Sequence, residues 1–255
     1  MGQPVHMPHM PHMPHTLEAQ DRLVSYFRSG DAMRSRSVGH AVLYGTVPVP
    51  VPPARLVADW QREVTTHLGL APGEVEALPL ARTRARWPDL RQGVQAASSW
   101  TDTLGFSGLL ASCDMALMAC RGASYHHDGG QYGGMAFCNL FLSEDCGLDV
   151  HFPSAGQRIA LRRGTMVLFD TYQPHAVIQR GSRGFDAEDF PPEQDSTQVF
   201  LTWELPIENA AVAHALGVSF EVDPVASLLR HEEQVWHNGV RASVCPTSGQ
   251  WYPHE

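Results

Sequence analysis

The sequence predicts an α+β chain with a mainly β core, a barrel or sandwich with N-terminal helices packed on it. Three observations predict this. From Met115 onward, short apolar runs alternate with Gly, Asp and Pro punctuation, and many short strands at close spacing fit a sandwich or barrel better than a βαβ array. The first third of the chain carries helical patterns instead. The chain has 255 residues, 43% of them apolar, enough for a real core, and β-barrels of this size commonly form one domain.

Taken in order, residues 1–15 hold the repeat HMPHMPHMPH, with His6, His9, His12 and His15 in register. Proline at every third position favours polyproline II, which would line the histidines along one ridge able to hold nickel, copper or zinc loosely. The expectation is a disordered tail, set apart from one domain over 16–255. LEAQDRLVSYFRS (17–29) reads as an amphipathic helix capped by Thr16, and HAVLYGTV (40–47) as a strand. VPVPVPP (47–53) breaks that strand, and Pro53 opens a helix to about Leu68. Residues 71–105 show no clear period. FSGLLASC (106–113) fits either a strand or a short helix. Strand-length runs follow at MALMAC (115–120), AFCNLFL (136–142), LDVHF (148–152), RIAL (158–161), TMVLFD (165–170), HAVIQ (175–179) and QVFLTWEL (198–205). They place the core at about 115–205. The acidic, proline-bearing stretch 183–196 is long enough to be a lid or binding loop. A helix is expected at VASLLRHEEQVW (225–236).

Composition narrows the function. The formal net charge is -9, which repels phosphate backbones and argues against a nucleic-acid partner. No stretch approaches the roughly 20 apolar residues that span a bilayer, and no secretory leader pattern is present. The five cysteines, Cys113, Cys120, Cys138, Cys146 and Cys245, are odd in number and form no CxxC pair, so free thiols in a reducing cytoplasm are expected. Assembly as a homodimer is left open.

The chemistry sits in SYHHDGGQYGG (124–134). His126 and Asp128 are two apart, and in an extended strand residues i and i+2 share a face. The glycines that follow suit a turn out of the strand. A third ligand comes from QPHAV (173–177), where His175 starts another strand-like run. Two histidines and one carboxylate on one face of an octahedral ion form the facial triad of non-haem Fe(II) oxygenases, which leaves positions open for co-substrate and O2.

These motifs, with the run between them, resemble the prolyl-hydroxylase-like branch of the Fe(II)/2-oxoglutarate-dependent dioxygenases. The resemblance covers about residues 115–205. It rests on Tyr125, HHD (126–128), FCNLFLSEDCG (137–147), LDVHFP (148–153), RRGTMVLFD (162–170), QPHAV (173–177) and GSR (181–183). It implies a double-stranded β-helix, a squashed barrel with the metal at one open end. It also implies Fe(II), 2-oxoglutarate and O2, with ascorbate as an optional support, and hydroxylation of an unactivated C–H bond. Since Asp128 is present, it implies hydroxylation and not halogenation. The far carboxylate of 2-oxoglutarate needs a cation, and arginine makes a bidentate pair with it. The GxR match gives Arg183 that role, with Arg180 as competitor and Arg121 or Arg162 behind them. The stretch 184–196 interrupts the expected passage from GxR into the last strand.

Other residues carry lesser expectations. Tyr125 and Asn139 are candidates for holding 2-oxoglutarate. Gln131 and Tyr132 could line the substrate mouth. His127 should point away from the metal, His151 is read as a plain strand residue, and Trp203 as core. Asp170 either orients the distal histidine or ends its strand. The expected substrate is a small molecule or amino-acid derivative. A peptide or protein side-chain hydroxylase is the alternative, and a long groove would mark it. A non-catalytic cupin-like metal-binding barrel ranks last, because the GxxxxHxH signature is absent.

Overall fold

The computed structural model describes residues 23–191 and 194–254. The His-Met-Pro repeat, Thr16 and the first part of the expected helix over 17–29 lie outside the described residues. The architecture is mainly β, with antiparallel sheets and few helices.

Three sheets organise the chain. A six-stranded sheet has the order β3 (Leu43–Thr46), β10 (Thr165–Asp170), β7 (Met135–Phe141), β12 (Gln198–Pro206), β5 (Met115–Cys120) and β4 (Val75–Leu78). A four-stranded sheet has the order β6 (Ala123–His126), β11 (His175–Gln179), β8 (Leu148–Phe152) and β9 (Gln157–Ala160). A third sheet joins the two ends of the chain: β15 (Trp251–Pro253), β14 (Val240–Val244), β13 (Gln234–His237), β1 (Leu23–Ser29) and β2 (Ala32–Ser37).

Alternation along β12 shows how the layers form. Leu201, Trp203 and Leu205 face out and join a core with Leu56, Trp60, Leu90 and Ala97. Those four come from α1 (Ala54–Arg62) and α3 (Leu90–Thr103), so these helices cover the outer face of the six-stranded sheet. Trp203 is core, as expected. Phe200 faces the other way and packs with Phe141, Val167 and Phe169 against Val150, Phe152 and Val177 of the four-stranded sheet. The strand period of two thus feeds two separate cores from one strand.

Strands β5, β7, β8, β9, β10, β11 and β12 fall on the expected runs within a residue or two. The helix opened by Pro53 runs on to Leu68, its last turn wound as a π-helix. The stretch without clear period contains β4, α2 (Leu80–Arg86) and α3. FSGLLASC forms a 3-10 turn over Leu109–Ser112.

Two helix expectations are corrected. Residues 23–29 are strand β1, closed onto β2 by a two-residue turn at Gly30–Asp31, with Ser29 opposite Ala32. Gly30 has φ 59 there, a conformation glycine takes without strain. VASLLRHEEQVW gives only a short helix, Pro224–Ser227, and then strand β13, whose Trp236 pairs with Val24. Both segments are amphipathic with either period, and their pairing with each other decided the outcome. Among the described residues no helix is long and apolar enough to cross a membrane. All five cysteines are free, and only Cys120 and Cys138 are buried.

Candidate metal centre

His126 ends β6 and His175 begins β11, and the antiparallel register sets them directly opposite each other. Their rings lie 4.5 Å apart. Asp128 joins them from a turn. Its Oδ1 is 3.6 Å from His126 Nε2 and its Oδ2 is 3.5 Å from His175 Nε2. One ligand atom from each of the three residues lies within 4.8 Å of the others.

The hydrogen bonds around the rings set their chemistry. His126 Nδ1 lies 2.7 Å from the Ser124 carbonyl, and His175 Nδ1 lies 3.0 Å from the Gln173 carbonyl. A carbonyl only accepts, so each Nδ1 donates and each Nε2 keeps its lone pair toward the shared centre. Burial pushes the His175 pKa down to about 3, which keeps that imidazole neutral and able to ligate. Burial also raises the Asp128 carboxyl, and a divalent cation would oppose that shift. Two imidazoles and one carboxylate fit a first-row divalent ion at about 2 Å from each donor.

The backbone route to Asp128 differs from the expected one. The strand ends at His126, and Asp128 sits at φ -92, ψ -5 before a single helical turn, α4 (Gly129–Tyr132). A turn, not strand alternation, brings the carboxylate round. The β10–β11 turn holds this turn in place. Thr171 O accepts from Asp128 N at 2.8 Å and from Gly129 N at 3.0 Å, and Thr171 Oγ1 donates to the carbonyls of Tyr132 and Met135. Any Cβ on Gly129 would collide with the Tyr172 ring. Asp170 supports the same turn from below. Its carboxylate accepts from Gly39 N and Tyr172 N and pairs with Arg36 through two bonds of 2.7 Å. Arg36 also donates to Gly133 O at 2.9 Å, and both members of the ion pair are fully buried. Asp170 therefore positions the turn that carries His175 and does not touch the imidazole.

The triad lies at one end of a cavity of about 320 Å³ between the six- and four-stranded sheets. Gln131, Tyr132 and Glu204 line it near the metal end. Phe141, Phe200, Met118 and Val177 line it farther in. Between them, Asn139 on β7 and Thr202 on β12 face each other across the ladder. Asn139 Oδ1 and Thr202 Oγ1 are buried without a hydrogen-bond partner. Burial, with Asp114 nearby, raises the Glu204 carboxyl. Thr202 and Glu204 escaped the sequence reading, although alternation with Leu201, Trp203 and Leu205 marks them as inward-facing.

The remaining expected site residues are placed as follows. Asn139, Gln131 and Tyr132 line the cavity. Tyr125 does not, since it packs with Ala176 and Ile178 on the far side of the four-stranded sheet and its hydroxyl meets His151 Nδ1. Arg180 continues that outward parity, and its guanidinium pairs with Asp145 at 3.0 Å and Asp149 at 2.9 Å. Arg183 is exposed in the loop beyond the strand. Arg121 donates to Pro191 O, and Arg162 is exposed. None of these arginines lines the cavity, and the chain contains no lysine. His127 turns away from the triad onto Tyr172 and Trp251. The 183–196 stretch is not a lid over the metal, and Pro192 and Glu193 lie outside the described residues. Phe185 and Phe190 stack on each other and pack into the inter-sheet core. Phe190 sits against Gly122 at the end of β5 away from the triad.

No protein-family model matches the sequence. No curated protein matches it. Among solved structures, the chain is similar to the viral collagen prolyl hydroxylase of Paramecium bursaria Chlorella virus-1, at 9% identity and TM-score 0.39 over 65% of this chain and 89% of that one. It is similar to EvdO2 from Micromonospora carbonacea var. aurantiaca, at 11% identity and TM-score 0.38 over 74% and 91%. It is also similar to SnoN, a non-heme alpha-ketoglutarate-dependent epimerase from nogalamycin biosynthesis, at 14% identity and TM-score 0.31 over 66% and 83%. The viral enzyme and EvdO2 have also been solved with 2-oxoglutarate.

Proposed function

We propose that this protein is a non-haem Fe(II) oxygenase that uses a 2-oxo acid as co-substrate and hydroxylates a small molecule or amino-acid derivative. The observation that carries this reading is the convergence of His126 Nε2, Asp128 and His175 Nε2 on one point at the end of a cavity. In this reading the six- and four-stranded sheets are the two walls of a double-stranded β-helix.

When bound, Fe(II) would supply the chelation of a 2-oxo acid and the reduction of O2. The overall balance is 2-oxo acid plus O2 plus R–H, giving CO2, the carboxylic acid one carbon shorter, and R–OH. One oxygen atom enters the new carboxylate and the other enters the product. The protein's residues have simpler tasks. His126 and His175 are oriented through their backbone-bound Nδ1 atoms, and burial keeps His175 neutral. Asp128 contributes one negative charge. Phe169 packs against the His175 ring at 4.7 Å and keeps water from it.

The resemblance implies 2-oxoglutarate as the co-substrate. The triad suits its chelating end, but the cavity offers no arginine to its far carboxylate. A compact cavity at the small end of the usual ligand range of about 300–1,000 Å³ favours a small substrate over an extended peptide.

The test is release of labelled CO2 from C1-labelled 2-oxo acids, supplied with Fe(II) and O2. Release that requires both, and that Asp128→Ala abolishes, is the expected result. Release that survives Asp128→Ala would remove Asp128 from the metal centre.

A further inference from the structure

We propose that Asn139 and Thr202 form the inner end of the co-substrate subsite, and that this subsite selects a 2-oxo acid with an uncharged far end. The proposal rests on the metal reading above and narrows it.

The argument begins with position. Antiparallel register sets Thr202 opposite Asn139, and Glu204 opposite Phe137. Asn139 and Thr202 are therefore one pleat repeat, roughly 7 Å along the strands, from the layer nearest the triad. That is the reach of the carbon chain of a five- or six-carbon 2-oxo acid held at the metal by its first two carbons.

The second step is hydrogen bonding. Asn139 Oδ1 and Thr202 Oγ1 are buried and unpartnered, and such groups in a folded protein call for a partner from a ligand or water. A side-chain amide and a hydroxyl can each donate and accept. They match a neutral polar group without bringing any charge.

The third step is charge. Among the described residues, the cavity is lined by two carboxylates, Asp128 and Glu204, and by no arginine. With a divalent cation at the triad these charges cancel. The chelating carboxylate of a 2-oxo acid then adds one negative charge, beside the metal. A second carboxylate at the far end would lie among Phe141, Phe200, Val167 and Met118, with no cation among the described residues of the cavity wall. An unpaired buried charge is strongly disfavoured, whereas a neutral group of the same shape is not. Arg180, the strand-borne candidate from the sequence, is committed to Asp145 and Asp149 on the opposite face of its sheet.

The experiment is calorimetric titration of the full chain loaded with Mn(II), a stand-in that permits no turnover. The two probes are 2-oxoglutarate and its 5-methyl ester, which share a chelating end and differ in far-end charge. The ester is expected to bind at least tenfold more tightly. Thr202→Val and Asn139→Leu, both close in shape to the native residues, are expected to weaken the ester several-fold while Mn(II) affinity stays unchanged. Tighter or equal binding of 2-oxoglutarate overturns the proposal. So does ester binding that neither variant affects, or a Mn(II)-loaded protein that binds neither probe. Failure to bind Mn(II) would instead overturn the metal reading on which the proposal stands.

Discussion

Arg36 and Asp170 show how much of the candidate site depends on residues outside the His126, Asp128 and His175 cluster. Their ion pair is fully buried and ties β2 to the turn that carries His175, while Arg36 also holds Gly133 O beyond Asp128. Removing one partner strands the other charge in the core, which costs about 3–5 kcal/mol. Arg36→Met is therefore expected to lower the urea-unfolding free energy by about that amount, and a loss below about 1 kcal/mol would mean that the pair is replaceable. A second residue-scale expectation concerns acid. Burial lowers the pKa of His175 and of His127 from 6.5. The unfolded chain takes up these protons near 6.5, while folded His175 does so only near about 3. Their contribution to stability is complete above 6.5 and is lost as pH falls toward 3. Asp128, shifted upward, acts in the opposite sense above 3.8 and offsets part of the loss. In metal-free protein the melting temperature should fall from about pH 7 to about pH 5, and His175→Asn should flatten that fall. An unchanged slope in the variant would contradict the burial of a neutral His175.

At the scale of elements, the structure rewards readings based on local pattern and overturns those that needed a distant partner. The runs around Met118, Leu140, Leu168 and Val177 alternate or stay apolar within themselves, and each became a strand where expected. The segments around Phe27 and Trp236 carry an apolar face under either period. They lie at opposite ends of the chain and pair with each other, a choice that no local window contains. Parity explains the site in the same way. Tyr125 and Arg180 follow strand alternation to the outer face of the four-stranded sheet, while Thr202 and Glu204 follow it inward. His126 was legible from its spacing to Asp128, and His175 from the order of strand-like runs in the family the sequence resembles. Asp128 was legible as a residue but not as a geometry, because the strand stops before it and a turn fixed by Thr171 delivers the carboxylate. Neither arginine expected to hold 2-oxoglutarate lines the cavity: Arg183 of the GxR motif lies exposed in the loop beyond β11, and Arg180 follows strand parity to the outer face.

At the scale of the whole molecule, the cavity's two ends differ. The triad end is the more open, with His126 35% exposed and His175 only 10%. Phe185 and Phe190, from the stretch between β11 and β12, stack on each other and pack into the core between the two sheets. That stretch was expected as a lid or binding loop, and its described residues do not line the cavity. The two ends of the described residues meet in the third sheet, whose Tyr26 and Phe27 pack against the turn beneath the triad. Tyr172 donates to Tyr26 O at 2.8 Å. The metal centre thus draws its rigidity from all three sheets. The most direct test of the account is an anaerobic Fe(II) titration of the metal-free protein beside its Asp128→Ala and His175→Ala variants. The account expects the native chain to bind a single Fe(II) ion and each variant to lose that site while remaining folded. Equal binding by all three would place the iron elsewhere and contradict it.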